Sequence, residues 1–344
     1  MIAGAVLFSA AYWGGYRLDF AFADSAIWNG QVWRLLTSCF IHGNILHLAF
    51  NLCGMYELGR PIEARYGSLR AGLIMVLLGA GSSAAQFLSG DGGIGLSGVL
   101  YGCLGLLWAT RGNPRGTGYA LTNRTIHACV VWFFFCLATT LASVWNVGNT
   151  AHASGLVLGF AMGRALVSER SRLWTSAMTA VAVLLMAATL YMPWSYRWWW
   201  HRGFEASERG DENRSLTYWV RAVDAAANDW DVEPLLMELG HEALYREDRD
   251  GAILYYRRVM AVSQSPGLSH AYLAYTYLVK GDIKEARELA KNLRDADLDP
   301  FLRDIPSFVD LVAQARAPEG QHASDVPASR PSSRTASHPS AKAR

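Results

Sequence analysis

Three long apolar runs constrain this chain more than any other feature. Ala71–Leu88 has 18 residues without a charge, Thr125–Val147 has 23 and Leu173–Met192 has 20. A bilayer core of ~30 Å needs roughly 20 helical residues, so these three read as membrane-spanning helices. Four other runs, Ile2–Tyr16, Ile45–Tyr56, Leu96–Thr110 and Ala151–Val167, are shorter or carry polar residues. Alone, each would fit a buried core helix. Beside the other three they read as membrane helices holding functional polar groups. Seven spans are expected, too many and too widely spread for a signal peptide.

The average composition of the 344 residues, 51% apolar and 17% charged, hides two different regions. Residues 1–200 hold 12 Arg, no Lys and 6 acids, whereas residues 201–316 hold 15 basic and 21 acidic residues. The net charge of +2 argues neither for nor against nucleic acid, and no nucleic-acid partner is expected. Five cysteines (Cys39, Cys53, Cys103, Cys129, Cys136) lie in or beside apolar runs without CxxC spacing, so they read as packing residues and not as a disulfide framework. No HExxH is present, and neither a metal nor a cofactor is expected.

Arginine reports orientation, because basic residues favour the cytoplasmic side of short loops. Arg60, Arg65, Arg70, Arg111, Arg115, Arg124, Arg164, Arg170 and Arg172 fall on one side; only Arg17, Arg34 and Arg197 fall on the other. Met1 is therefore expected in the cytoplasm and the chain beyond the seventh span outside it. The reading is a multi-pass protein of a plasma or inner membrane. The aromatic cluster PWSYRWWWHR, Pro193–Arg202, fits an interfacial belt at the outer face.

Polar side chains at membrane depth are costly and are functional suspects. The second helix carries His47 and Asn51, four apart on one face. The fourth begins with Ser97, and the sixth begins with His152. Gly155, Gly159 and Gly163 form a small-residue face below His152, and Gly98 and Gly102 offer another on the fourth helix. Such spacing lets two backbones approach closely. If these faces pack together, Ser97 comes within reach of His152, the minimum for an activated nucleophile. His47 and Asn51 at the same level could donate to a developing oxyanion. The plainer readings are a serine bonded to its own helix carbonyls and glycines that serve only packing. GLSGV is not the GxSxG elbow of soluble hydrolases, since Val99 stands where that motif has glycine. His42 and His127 have no partner visible in the sequence.

These elements together resemble the rhomboid family of intramembrane serine proteases, from about Gln31 to Val167. VWRLLTSCFIH resembles the family's WR element, HLAFN its HxxxN element, ELGRPIEARYGS its E-x-R segment, GLSGVLYG its GxSG motif, and AHASGLVLGFAMG its histidine helix. The resemblance implies that Ser97 is the nucleophile and His152 its general base, a dyad without aspartate. It implies an oxyanion hole from His47, Asn51 and the Ser97 N–H. Tyr101 would pack on the His152 ring, and Gly95 would leave room at the nucleophile turn. Trp33 and Arg34 would brace the outer loop, and Glu63 and Arg65 would match the E-x-R segment. Two departures stand out: only about 16 residues precede Arg17, and the loop Arg17–Gln31 is short for the family.

The expected architecture is all-α. A six-helix core (1–167) is followed by an added seventh span (173–192), as in the family's six-plus-one arrangement. A soluble helical region (201–316) and a disordered tail (317–344) come after it. In the soluble region a period of 34 pairs Leu239 with Leu273, Leu244 with Leu278, Asp248 with Asp282 and Ala252 with Ala286, a weak resemblance to tetratricopeptide repeats. Such helix pairs offer a concave face for a protein partner, and a plain helical bundle is the other reading. The function expected is hydrolysis of transmembrane protein substrates in the lipid bilayer. The alternative is a non-catalytic membrane adaptor that grips transmembrane clients and partner proteins. A transporter would need paired intramembrane charges, and the sequence has none.

Overall fold

The computed structural model describes residues 1–90, 92–119, 121–226 and 229–317; the tail expected to be disordered lies beyond residue 317, outside the described residues. Among these, helices are the only regular elements. The chain divides into two compact units, Met1–Pro193 and Trp194–Arg344.

The first unit holds α1 (Ile2–Trp13), α2 (Arg34–Thr37), α3 (Ile45–Gly54), α4 (Arg60–Tyr66), α5 (Ser68–Leu88), α6 (Ser97–Thr110), α7 (Asn123–Leu141), α8 (Asn149–Val167) and α9 (Ser171–Leu190). α3 starts where the Asn44 side chain accepts the His47 N–H at 2.9 Å, satisfying one of the donors orphaned at a helix start. The second helix does not end near Tyr56 as its apolar run suggested. A π-helical turn, Met55–Gly59, carries it into α4. Pro61 explains the turn: its ring would clash with the carbonyl of Glu57, and a wider helical turn relieves that clash. Gly67, at φ 78°, closes α4 and opens α5.

Among the described residues, α5 and α7 are each long and apolar enough to cross a membrane, and the bent pair Arg34–Phe40 and Ile45–Tyr66 makes a third span if taken together. α1 and α6 have 12 and 14 residues. At about 1.5 Å per residue, both fall short of a ~30 Å core. The fifth helix stops at Leu141, six residues before the end of its apolar run, because Thr140 Oγ1 accepts the Val147 N–H at 3.2 Å and folds the chain back.

The core of this unit is built around α6. Val99, Cys103, Leu104, Leu106 and Leu107 are at most 2% exposed. A helix apolar all round must be covered all round, and α5, α8 and the π-turn segment pack against it. Ser97 therefore opens the most enclosed helix of the unit.

The second unit consists of α10 (Tyr196–Glu208), α11 (Glu212–Ala225), α12 (Asp229–Tyr245), α13 (Arg249–Val262), α14 (Gly267–Lys280), α15 (Ile283–Ala290), α16 (Pro300–Arg303) and α17 (Pro306–Arg316). It begins earlier than residue 201, at Trp194, and part of the aromatic cluster packs into it. Trp198 is 8% exposed, and the Trp200 and Phe204 rings pack on the buried Trp219 with centroids 6.4 and 5.5 Å away. Part of the run expected to lie in a membrane interface thus packs on α11, while Trp194 is 56% exposed. Consecutive helices pack as pairs, α10 with α11, α12 with α13 and α14 with α15. Ala206, Gly240 and Ala274, spaced at 34 residues, are all buried. A methyl on Gly240 would overlap the Tyr256 ring, so a small residue is required there.

Candidate active site

Ser97 is the first residue of α6, and the backbone there has just turned through Gly95 at φ 100°. That conformation favours glycine. Space demands it as well, since a Cβ on Gly95 would stand 2.7 Å from the His47 ring. The first N–H groups of α6 have no acceptor within the helix. The helix dipole favours negative charge at this end.

His152 comes from the first turn of α8. Its Nε2 lies 2.8 Å from Ser97 Oγ, in a hydrogen bond between side chains 55 residues apart in sequence. The histidine is 3% exposed. The Tyr101 ring stacks on the imidazole at 4.7 Å between centroids and 22° between planes, and the Tyr101 hydroxyl donates to the Cys129 carbonyl of α7 at 3.0 Å. His152 Nδ1 is buried with no hydrogen-bond partner among the described residues. The ring is therefore held by an aromatic face and not by a carboxylate.

Glycine makes the approach of α6 and α8 possible. A Cβ on Gly155 would overlap the Gly98 carbonyl, one on Gly159 the Gly102 carbonyl, and one on Gly163 would come within 2.7 Å of the Leu106 carbonyl. The α6 glycines divide their task differently from the sequence reading. Cβ atoms on Gly98 and Gly102 would run into Ser82 and Leu78 of α5, while the missing side chain of Gly105 is what admits the Leu156 backbone of α8. Gly105 went unread because it lies outside the four-residue spacing of Gly98 and Gly102.

His47 packs at the turn before Ser97, and Asn51 lies one helical turn below it. Asn51 is 3% exposed; its Nδ2 donates to the His47 carbonyl at 2.8 Å, and its Oδ1 is buried without a partner. The amide nitrogen has two hydrogens, so one remains for another acceptor.

The other residues singled out in the sequence lie apart from this cluster. Arg34 is buried and stitches the first loop together. It donates to Gln31 Oε1 (2.8 Å), Asp24 Oδ2 (2.8 Å) and the carbonyls of Phe22 (3.1 Å) and Asp19. Trp33 is 52% exposed. Arg65 donates to the Gly116 carbonyl at 2.7 Å and so pins the loop between α6 and α7, and Glu63 accepts from the Ser68 hydroxyl. The sequence reading missed Gln86, a buried α5 side chain whose Oε1 accepts the Ala151 N–H at 2.9 Å beside His152. A lone glutamine in an uncharged apolar run was the available signal.

This geometry can be set beside known proteins. Residues 29–169 match the rhomboid domain. The rhomboid protease GluP of Bacillus subtilis is 31% identical over 171 residues, covering 49% of this chain and 33% of that protein. RHOMBOID-like protein 6, mitochondrial, of Arabidopsis thaliana is 31% identical over 175 residues, 48% of this chain and 54% of the relative. The rhomboid protease GlpG of Serratia proteamaculans is 35% identical over 133 residues, 38% and 47% respectively. The chain thus spans about a third to a half of the length of the relatives it matches. These findings support the rhomboid family for the matched region, an all-helical integral membrane unit; the second unit lies outside the rhomboid match.

Proposed function

We propose that this protein is an intramembrane serine endopeptidase that cuts transmembrane protein substrates with a Ser97–His152 dyad. The observation that carries the reading is the 2.8 Å hydrogen bond from Ser97 Oγ to His152 Nε2 in a glycine-lined contact of two membrane helices. His152 Nε2 accepts the hydroxyl proton as Ser97 Oγ attacks the scissile carbonyl, and the imidazolium that forms lies against the Tyr101 ring, whose negative face favours a cation. The Ser97 N–H at the start of α6, with His47 and an Asn51 N–H, receives the developing oxyanion. His152 then passes its proton to the leaving amine. Water repeats the sequence on the acyl-enzyme and frees Ser97.

The same reading assigns seven spans, six in a rhomboid core and α9 as an addition, with α1 and α6 shorter than the bilayer is thick. Nine arginines against three support a cytoplasmic Met1 and a second unit outside the cytoplasm. The 34-residue recurrence of buried small residues supports a helical-repeat platform in the second unit that docks a protein partner.

Reconstitution with a purified single-span reporter tests the activity. Two fragments with a new terminus in or beside the transmembrane segment support the endopeptidase. Stable binding without cleavage is what the adaptor reading requires. Two further outcomes are expected. Asn51→Ala slows reporter turnover by roughly 100- to 1000-fold, the usual loss for one preorganised oxyanion donor; an unchanged rate assigns the donation elsewhere. Truncation after Pro193 leaves turnover of a generic reporter unchanged while weakening processing of the natural substrate, because a tethered docking unit raises local concentration without touching the chemical step. A folded truncated protein unable to cleave any reporter would contradict this.

A further inference from the structure

We propose that His42 is a positioning residue that fixes the backbone turn presenting Ser97, through a one-directional hydrogen-bond chain running from Leu96 to α1. The proposal rests on the serine-protease reading of the site. His42 is fully buried, in the loop between α2 and α3. Its Nε2 faces the Leu96 N–H at 3.4 Å, its Nδ1 faces Ser9 Oγ at 3.1 Å, and Ser9 Oγ donates to the Phe40 carbonyl at 3.2 Å.

The donors and acceptors allow one assignment. A backbone N–H can only donate, so Nε2 must be the unprotonated nitrogen, and a neutral ring then carries its hydrogen on Nδ1. Nδ1–H donates to Ser9 Oγ, which passes its own hydrogen to Phe40. Every polar atom in the chain is satisfied, and Ser9 is itself fully buried, so no solvent competes. The His42 carbonyl is held too, by the Trp13 indole N–H at 2.9 Å.

The consequence falls on the residues either side of Leu96. The Gly95 N–H donates to the Ser38 carbonyl at 3.1 Å. The turn leading into Ser97 therefore hangs from the 38–42 segment by two adjacent N–H groups. The His42 ring also meets the His47 ring edge-to-face at 4.9 Å. One buried imidazole thus sets both the height of the nucleophile and the place of a candidate oxyanion donor. It touches neither substrate nor reacting atoms.

Two substitutions separate this role from plain packing. Gln at 42 places its side-chain oxygen near the Nε2 position and can accept the Leu96 N–H. Asn reaches only as far as the Nδ1 position and cannot. His42→Gln should keep kcat within about threefold of wild type, while His42→Asn should lower kcat about 100-fold with KM unchanged, the cost of a misplaced reacting group. Equal kcat in the two folded variants overturns the proposal. The wild-type protein gives a reading independent of variant folding: ring-¹⁵N histidine spectra in detergent should show His42 neutral with its proton on Nδ1, and a proton on Nε2 overturns the proposal outright. A wild type that fails to react at Ser97 with a fluorophosphonate would sink the protease reading instead, and the His42 tautomer can be read on that same protein.

Discussion

Alanine in place of Ser97 or His152 should leave a folded protein that no longer cleaves a transmembrane reporter. Each substitution removes half of a two-member unit, and nothing nearby can replace it. His47 packs on the turn before Ser97, but its ring lies against Gly95 and His42. In nucleophile–base pairs either loss alone costs about as much as losing the whole unit, roughly a millionfold in kcat. The structural cost is far smaller. Ser97→Ala gives up one hydrogen bond, worth about 1 kcal/mol. His152→Ala empties the space beside Tyr101 but leaves the glycine contact of α6 and α8 intact. Turnover of the reporter, read beside the thermal unfolding midpoint, checks both halves. Turnover by either variant at the wild-type rate would remove the dyad.

Gly159→Leu should lower activity on the order of 100-fold or more by a route that touches no reacting atom. A side chain at 159 has nowhere to go, since its first carbon already overlaps the Gly102 carbonyl. Backbone cannot yield as a flexible side chain can, so α8 must move away from α6. Overpacking a well-filled core typically costs about 1–3 kcal/mol, and a helix displaced by about 1 Å costs on the order of 100-fold in rate through misalignment alone. Activity and unfolding midpoint should therefore fall together. That distinguishes this variant from Ser97→Ala, in which activity falls nearly alone. A fully active leucine variant would mean that α6 and α8 do not need this contact.

Much of this site was legible because membrane helices write it in plain terms. Polar residues stand out in apolar runs, and glycines at four-residue spacing report close packing. Ser97, His152 and the face of Gly155, Gly159 and Gly163 could be read that way, and Tyr101 followed only from the resemblance. What escaped were partners fixed only by tertiary structure. His42 meets Ser9 from 33 residues away and Leu96 from 54, separations at which no local pattern operates. Arg34 read as a brace of the outer loop, but the carbonyls and side chains it bonds within that loop are announced by no sequence motif. The packing of the WWW run on α11 escaped for a related reason. Tryptophan suits an interface and a core equally, and the deciding partner, Trp219, lies in the next helix. Helix ends were misjudged where one side chain decides them, Thr140 for α7 and Pro61 for the π turn.

The central claim is that Ser97 is an activated nucleophile at membrane depth. Reaction of the detergent-purified protein with a fluorophosphonate probe, followed by mass mapping of the adduct, tests it most directly. A single adduct on Ser97 is expected, absent from Ser97→Ala and lost or greatly slowed in His152→Ala. A wild-type protein that stays unlabelled at Ser97 while folded, or that labels equally well without His152, would contradict it.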